Sequence, residues 1–290
     1  MDARADTPLN EAYAHCREAV RAGDRRRYLA GLLAPAAARD GLLALGAFAL
    51  ETARVRDVVR EPLAGELRLQ WWRDVLAVPA GERVGSPVAD ALLDATERWQ
   101  LPRAALVAAL DARLFDLYDD PMPSLTDLEG YAGETHGSLV QLAAIVLAGG
   151  EDPGAGTVAG HAGVVETILW VIEQLPRHAS RRQMFLPADV LARYAVDPED
   201  VFAGRMTPAV TAALAEMRGH ALRHLDRVRA GVAGIPAKVV PALLPLAAAR
   251  PLLARMERPG WDPFRRPAEL APIVAFWRLW RAARRPRRGF

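Results

Sequence analysis

Cysteine and lysine are almost missing from this 290-residue chain, each occurring once, as Cys16 and Lys238. A lone cysteine excludes an intrachain disulfide and any metal site built from several thiolates. An excess of one charge sign is missing too: 37 basic residues face 35 acidic ones, for a net charge of +2. The sequence pI of 9.0 reflects late-deprotonating arginines rather than a basic field, so a nucleic-acid partner is not expected. The longest uncharged run, 135–150, is shorter than the roughly 18 residues of a membrane span. The start, MDARADTPLN, carries acids and no apolar core of a signal peptide, so a soluble or peripheral protein without a targeting segment is expected. Fixed-period repeats and low-complexity tracts are lacking, which argues against a solenoid, and β-branched residues alternating with period two are scarce, which argues against a sheet.

What remains is 51% hydrophobic and 25% charged with a mean hydropathy of +0.02, the make-up of a chain with a large buried core. Alanine and leucine dominate, and apolar residues recur at helical spacing. Prolines and glycines punctuate this pattern near Pro35, Pro62, Pro79, Gly85, Pro102, Pro121, Gly149, Gly156, Pro176, Pro187, Pro208, Pro236, Pro251 and Pro259, marking helix ends or kinks. The expectation is an all-α fold of ten or so helices. Because no break resembles an interdomain linker, residues 1–290 are read as one domain with a short N-terminal extension and a basic-aromatic tail.

Four separated segments carry a further signal: YLAGLLAPAAARDGLLALGAFALETARVRD from Tyr28, GELRLQWWRDVL from Gly65, YAGETHGSLVQLAAIVLAGG from Tyr131 and RRQMFLPADVLARYAVDPEDV from Arg181. In order and spacing they resemble the squalene/phytoene synthase family. That resemblance implies an isoprenoid-synthase-type helical bundle around a central apolar cavity. In that family two aspartate clusters on facing helices hold Mg²⁺ against a departing diphosphate, since Mg²⁺ takes hard oxygen ligands. After the family's Tyr-Ala-Phe-like segment, here Gly46, Ala47 and Phe48, the first cluster becomes Ala53, Arg54 and Asp57. Counting back from Phe185, Leu186 and Pro187 puts Gln174 and His178 at the second cluster. The entry motif retains Tyr28 but is preceded by Arg26 and Arg27, and the arginine after the proline is kept as Arg39.

The runs AFALETARVRD, PRHASRRQMFLP and DARLFDLYDDPMPSLTDLEGYAGETHGSL resemble the branch of the family that assists biogenesis of respiratory complex I, the NADH:quinone oxidoreductase. This implies a pseudoenzyme that binds a prenyl diphosphate or another isoprenoid lipid, or serves complex I subunits, without a cofactor. Its implied place is the cytoplasm, peripheral to the inner membrane of a bacterium. The alternative is a Mg²⁺-dependent head-to-head prenyltransferase acting on farnesyl or geranylgeranyl diphosphate. That enzyme would need rescue ligands such as Glu51 or Glu173 beside Asp57, and four or more carboxylates facing one another across the cavity would favour it.

The candidate ligand-binding set is Tyr28, Arg39, Glu51, Arg54, Asp57, Tyr131, Ser138, Gln141, His178, Arg181 and Arg182. Glu51, Arg54, Asp57 and Arg60 progress by three, so they either line one side of the site or form a rim of ion pairs. Arg54 and Arg56 could grip an anion directly, because guanidinium forks suit phosphate. His178, Arg181 and Arg182 follow Pro176, where positive charge also suits a helix end; no second His or Cys at ligand spacing from His178 supports zinc. Asp116, Asp119 and Asp120 in DLYDD share spacing with a magnesium motif, but structural or partner-facing use is preferred. Of Trp71 and Trp72 only one can face the core. Gly133 and Gly137, beside Glu134 and Thr135, could permit close helix packing. The tail alternates Phe276, Trp277 and Trp280 with Arg278, Arg281, Arg284, Arg285, Arg287 and Arg288, which suits either an anionic membrane interface or a docked last helix.

Overall fold

The computed structural model describes residues 7–285, and among them there is no strand. The chain runs through α1 (Thr7–Gly23), α2 (Arg25–Leu33), α3 (Ala36–Ala53), α4 (Val55–Val58), α5 (Pro62–Ala77), α6 (Pro87–Arg98) and α7 (Arg103–Ala112). It continues through α8 (Leu125–Ala132), α9 (Ser138–Ala148), α10 (Gly156–Glu173), α11 (Leu175–Ser180), α12 (Ala188–Arg193) and α13 (Pro198–Phe202). The last helices are α14 (Pro208–Gly231), α15 (Ala249–Met256) and α16 (Pro272–Arg284). These sixteen α-helices exceed the ten or so expected. The surplus lies largely in α4, α11, α12 and α13, four to six residues each, too short to carry a readable apolar period. Of the tail, Arg287 and Arg288 lie outside the described residues.

Punctuation in the sequence sets the helix starts. Prolines open α5, α6, α13, α14 and α16 in their first turn, where the missing N–H has no intrahelical partner to lose. Side-chain oxygens of Asp24, Ser124, Asp197 and Thr207 cap α2, α8, α13 and α14, each satisfying an otherwise orphaned N–H. Between Pro236 and α15, residues Ala237–Ala248 form a long 3-10 helix holding Pro241 and Pro245. Each proline removes an N–H and clashes with the carbonyl four residues back, which tightens the segment away from α geometry.

Three helices are apolar nearly all round and form the centre, as such helices must. α3 buries the unbroken run Leu43 to Phe48, α9 buries nine of its eleven residues, and α10 packs against α9 and α14. Around them, α1 and α6 pack on α3, while α2, α16 and the 3-10 segment close one side. The stretch Ala237–Met256 is long and apolar enough to cross a membrane by composition, yet 61% of its most apolar window is buried among the other helices.

Between α8 and α9 the residues Gly133–Gly137 form one π-turn. There α10 approaches so closely that a Cβ on Gly163 would overlap the Gly137 backbone and lie 2.8 Å from the Ala132 carbonyl. Gly137 thus serves close packing, with Gly163 as its counterpart, while a Cβ on Gly133 would meet nothing. Trp72 is buried edge-on against Phe48, whereas Trp71 is 43% exposed. The last helix docks by Leu279 and Ala282, leaving Phe276 and Trp277 exposed.

Candidate functional site

Helices α2, α3, α4, α10 and α11 and the π-turn enclose an open cavity of about 360 Å³. Its wall brings Ala53, Arg54 and Asp57 together with Gln174, His178 and Arg181, although more than a hundred residues separate the two sets. The break between α3 and α4 at Arg54 swings the chain, so the ladder from Glu51 does not persist. Arg54 and Asp57 reach the cavity, while Glu51 and Arg60 are exposed and outside the lining.

Charge at this site is organised by arginine. Eight arginines line the cavity against four carboxylates, Asp24, Asp57, Asp116 and Glu173. Counting the partners just outside, Glu166 of Arg27 and Asp119 of Arg56, an excess of two positive charges remains. Each carboxylate is already engaged. Asp57 accepts from Arg177 on one oxygen and from Arg181 on the other. Glu173 accepts both terminal nitrogens of Arg26 at 3.0 and 2.8 Å. Asp24 takes the Arg27 backbone N–H at 2.9 Å and its Nε at 3.3 Å, and the same guanidinium donates to Glu166 at 2.8 Å. Arg54 has no hydrogen-bond or ion-pair partner among the described residues.

The floor is a buried triad. Arg113 donates to Asp116 at 3.0 Å and to the Tyr131 hydroxyl at 2.5 Å, and that hydroxyl lies 2.8 Å from the other Asp116 oxygen. Burial pushes the Asp116 carboxyl up from its usual range, and Arg113 and Tyr131 oppose the shift. Asp116 therefore does not join Asp119 and Asp120 in one acidic face: it sits in a 3-10 turn facing inward, while Asp119 is exposed. His136 and His178 complete the wall. Burial, with Arg177 and Arg181 nearby, lowers His178 to about 3, and burial likewise holds His136 well below its usual range. Both imidazoles are neutral at pH 7. The His178 Nδ1 is buried without a partner among the described residues, whereas the His136 Nδ1 meets the Thr167 hydroxyl at 2.8 Å.

Two small pockets of about 20 Å³ each adjoin the cavity, one lined by Phe48, Leu106 and Leu142 and one by Leu42, Leu45 and Pro241. Each has room for roughly one water.

Several residues singled out from the sequence stand elsewhere, for local reasons. Tyr28 packs against the core, and Arg39 donates to the Gly31 and Leu32 carbonyls, closing the end of α2. Ser138 turns towards the Ala105 carbonyl at 3.5 Å, and Gln141 reaches Asp152 in the following loop. Arg182 has a left-handed φ of +57°, which turns it from the cavity to Glu199 and the Phe202 ring. Tyr131 supports the floor from below. In their place come Arg113, Arg177 and His136, which the sequence did not single out, along with Arg26 and Arg27. For His136 the π-turn is the cause, since it rotates that side chain inward, a common use of such turns.

A bundle of helices with this order and a polar cavity where α3 and α4 meet α11 defines a protein of the isoprenoid-synthase fold. The family description for squalene/phytoene synthases matches residues 20–281, and the chain belongs to that family. It is 32% identical over 278 residues to NADH dehydrogenase (ubiquinone) complex I, assembly factor 6 of Rattus norvegicus, covering 94% of this chain and 83% of the relative. It is also 30% identical over 261 residues to a phytoene synthase of Thermus thermophilus, covering 87% and 85% of the two chains. A crystal structure of a dehydrosqualene synthase in complex with ligand superposes with a TM-score of 0.82 at 15% identity, over 98% of this chain and 99% of the other.

The metal implied by the family does not fit this donor set. Four carboxylates do line the cavity, the number named above as favouring the prenyltransferase; but Mg²⁺ needs several free, hard, negatively charged oxygens, and each of the four carries a guanidinium. What the arrangement can do is hold an anion. Arg54 is unpaired among the described residues, Arg177 and Arg181 share one carboxylate, and guanidinium forks match phosphate oxygens.

Proposed function

We propose that this protein is a non-catalytic member of its family. It binds the head of an organic diphosphate, such as a prenyl diphosphate or related isoprenoid lipid, through arginines in place of metal ions, and it serves the assembly of respiratory complex I. The observation that carries the reading is Asp57, the one carboxylate left at the first cluster, closed off by Arg177 and Arg181 from the segment of the second. A carboxylate so engaged is a poor metal ligand, whereas the arginines around it form an electrostatic substitute for the metal. The neutral His178 and Gln174 offer hydrogen-bonding groups without adding charge. The arginines of the cavity wall, which grip the head group, supply most of the affinity. The assembly role is supported by relatives that bear that name.

The protein works as one domain, peripherally at the inner membrane of a bacterium, with α16 as the contact. Ile273 and Trp277 are 63% and 56% exposed there beside Arg278, Arg281 and Arg284, a combination that suits an anionic lipid surface. The test is to delete the gene and measure assembled NADH:quinone oxidoreductase in the membranes. Loss of the complex, restored by the wild-type chain and by Asp57→Asn alike, supports an assembly role that needs no metal-binding aspartate. An unchanged level of the complex overturns it.

A further inference from the structure

The chain has six histidines, and three of them meet away from the cavity. His220 and His224 lie four residues apart on α14, so both rings project from one face. Glu129 of α8 reaches the same point: its Oε1 is 2.7 Å from His220 Nε2 and 3.7 Å from His224 Nε2. One ligand atom from each residue lies within 4.8 Å of the other two. For a tetrahedral ion with bonds of about 2.0–2.1 Å, the ligand atoms would be roughly 3.4 Å apart, a value that the two observed distances bracket. His161 of α10 stands beside the group, its ring edge-on to His224 at 4.9 Å between centroids.

A simple hydrogen-bonded pair does not account for this gathering. Glu129 and His220 satisfy each other, yet His224 is 2% exposed with no partner at Nδ1 among the described residues, and the three imidazoles would repel one another if protonated. None of the three ligand residues lines the cavity. On α10, His161 lies nine residues from the cavity's Trp170, about 14 Å along the axis, so the two sites are separate.

We propose that Glu129, His220 and His224 form a binding site for a divalent transition-metal ion, zinc foremost. Two imidazoles and one carboxylate suit Zn²⁺ and its neighbours in the first row far better than Mg²⁺, and they leave a fourth position for water. On loading, the proton between His220 Nε2 and Glu129 leaves Nε2. The neutral ring then carries its proton on Nδ1, and Arg223, whose Nη2 sits 3.0 Å from that atom, turns out into solvent, where it is already exposed. The bound ion would tie α8 to α14 two residues before Tyr131, and so brace the helix that carries part of the cavity floor. The proposal stands apart from the anion-binding reading.

The test uses the full chain, freed of metal by chelator and dialysis and titrated with Zn²⁺ against a chromophoric chelator, then with Co²⁺ for its visible bands. The expected result is one tightly bound equivalent, a raised thermal midpoint on adding Zn²⁺, and no competition from Mg²⁺. Glu129→Gln and His220→Gln should each weaken Zn²⁺ at least about 100-fold, more than the usual loss of a group that only supports a ligand. They should also abolish the Zn²⁺-induced rise in midpoint. Gln at position 129 keeps a hydrogen-bond acceptor on a part-exposed side chain, so that variant stays folded, which circular dichroism verifies. Substoichiometric binding by the wild type, or equal binding by the two variants, overturns the proposal.

Discussion

Replacing Asp57 by Asn should tighten the binding of inorganic pyrophosphate, the opposite of what a metal-dependent site would do. Asp57 is the counter-ion of both Arg177 and Arg181, so it competes with any anion for the same two guanidiniums. At a separation of about 7 Å, repulsion between a unit negative charge and the carboxylate is roughly 2 kcal/mol at an effective dielectric of 20 and roughly 0.6 kcal/mol in bulk water. The cavity is open, and the Asp57 side chain is 15% exposed while Arg177 is 46% exposed, so a value between these limits applies. A gain of about 1.4 kcal/mol corresponds to a tenfold lower Kd. Losing the bridge costs the fold little, about 1 kcal/mol or less, because both arginines remain partly hydrated. Calorimetric titration with pyrophosphate in chelator, at low and moderate salt, reads the effect directly, and the gain should shrink as salt screens it. Weaker binding by the variant, or wild-type binding that appears only with Mg²⁺, would refute the reasoning.

Arg54→Ala should weaken pyrophosphate several-fold with a thermal midpoint within a degree or two of wild type, since no described residue depends on that guanidinium; a large loss of midpoint would contradict this. Arg113→Ala should cost about 3–5 kcal/mol in denaturant unfolding, because it strands Asp116 in a buried setting; a loss under 1 kcal/mol would mean that the triad relaxes freely. Gly163→Ala should destabilise by about 1–3 kcal/mol through collision with the π-turn, read by the same unfolding curves. For His178, the folded chain holds fewer protons than the unfolded chain between pH 6.5 and about 3. Its contribution is therefore complete above pH 6.5 and is lost as the pH falls towards 3, by at most about 5 kcal/mol. His178→Gln should flatten the wild-type decline over that window, and an unchanged slope would show that the ring does not matter.

The helical class and the central helices were readable because α3 and α9 are rich in alanine and leucine at helical spacing, and because prolines such as Pro62, Pro176 and Pro208 announced helix starts. That Ala53, Arg54 and Asp57 would meet Gln174 and His178 was also readable, since both sets lie in segments of recognisable order. The arginine pairing was not. Arg177 meets Asp57 across 120 positions and Arg26 meets Glu173 across 147, distances that no helical period encodes. Asp116 shares its spacing with Asp119 and Asp120, and nothing in DLYDD marks the 3-10 turn that directs it inward to Arg113 and Tyr131. His136 lies in a π-turn whose glycines, Gly133 and Gly137, keep ordinary helical dihedrals, so no residue type in the segment marks the turn. Glu51 shows the converse error, since a regular spacing of three stops at the kink beside Arg54. His220 and His224 carry a plain signal at four residues' spacing, but their third partner, Glu129, lies 91 positions away.

The most direct measurement incubates the purified chain with farnesyl or geranylgeranyl diphosphate, with Mg²⁺ and with chelator, and follows bound substrate and released diphosphate in the same samples. Arginines standing in for metal ions at a non-catalytic site require intact substrate to bind equally in both conditions, with no release. Mg²⁺-dependent release that Asp57→Ala abolishes would contradict that account and make the protein a prenyltransferase with an unusual ligand set.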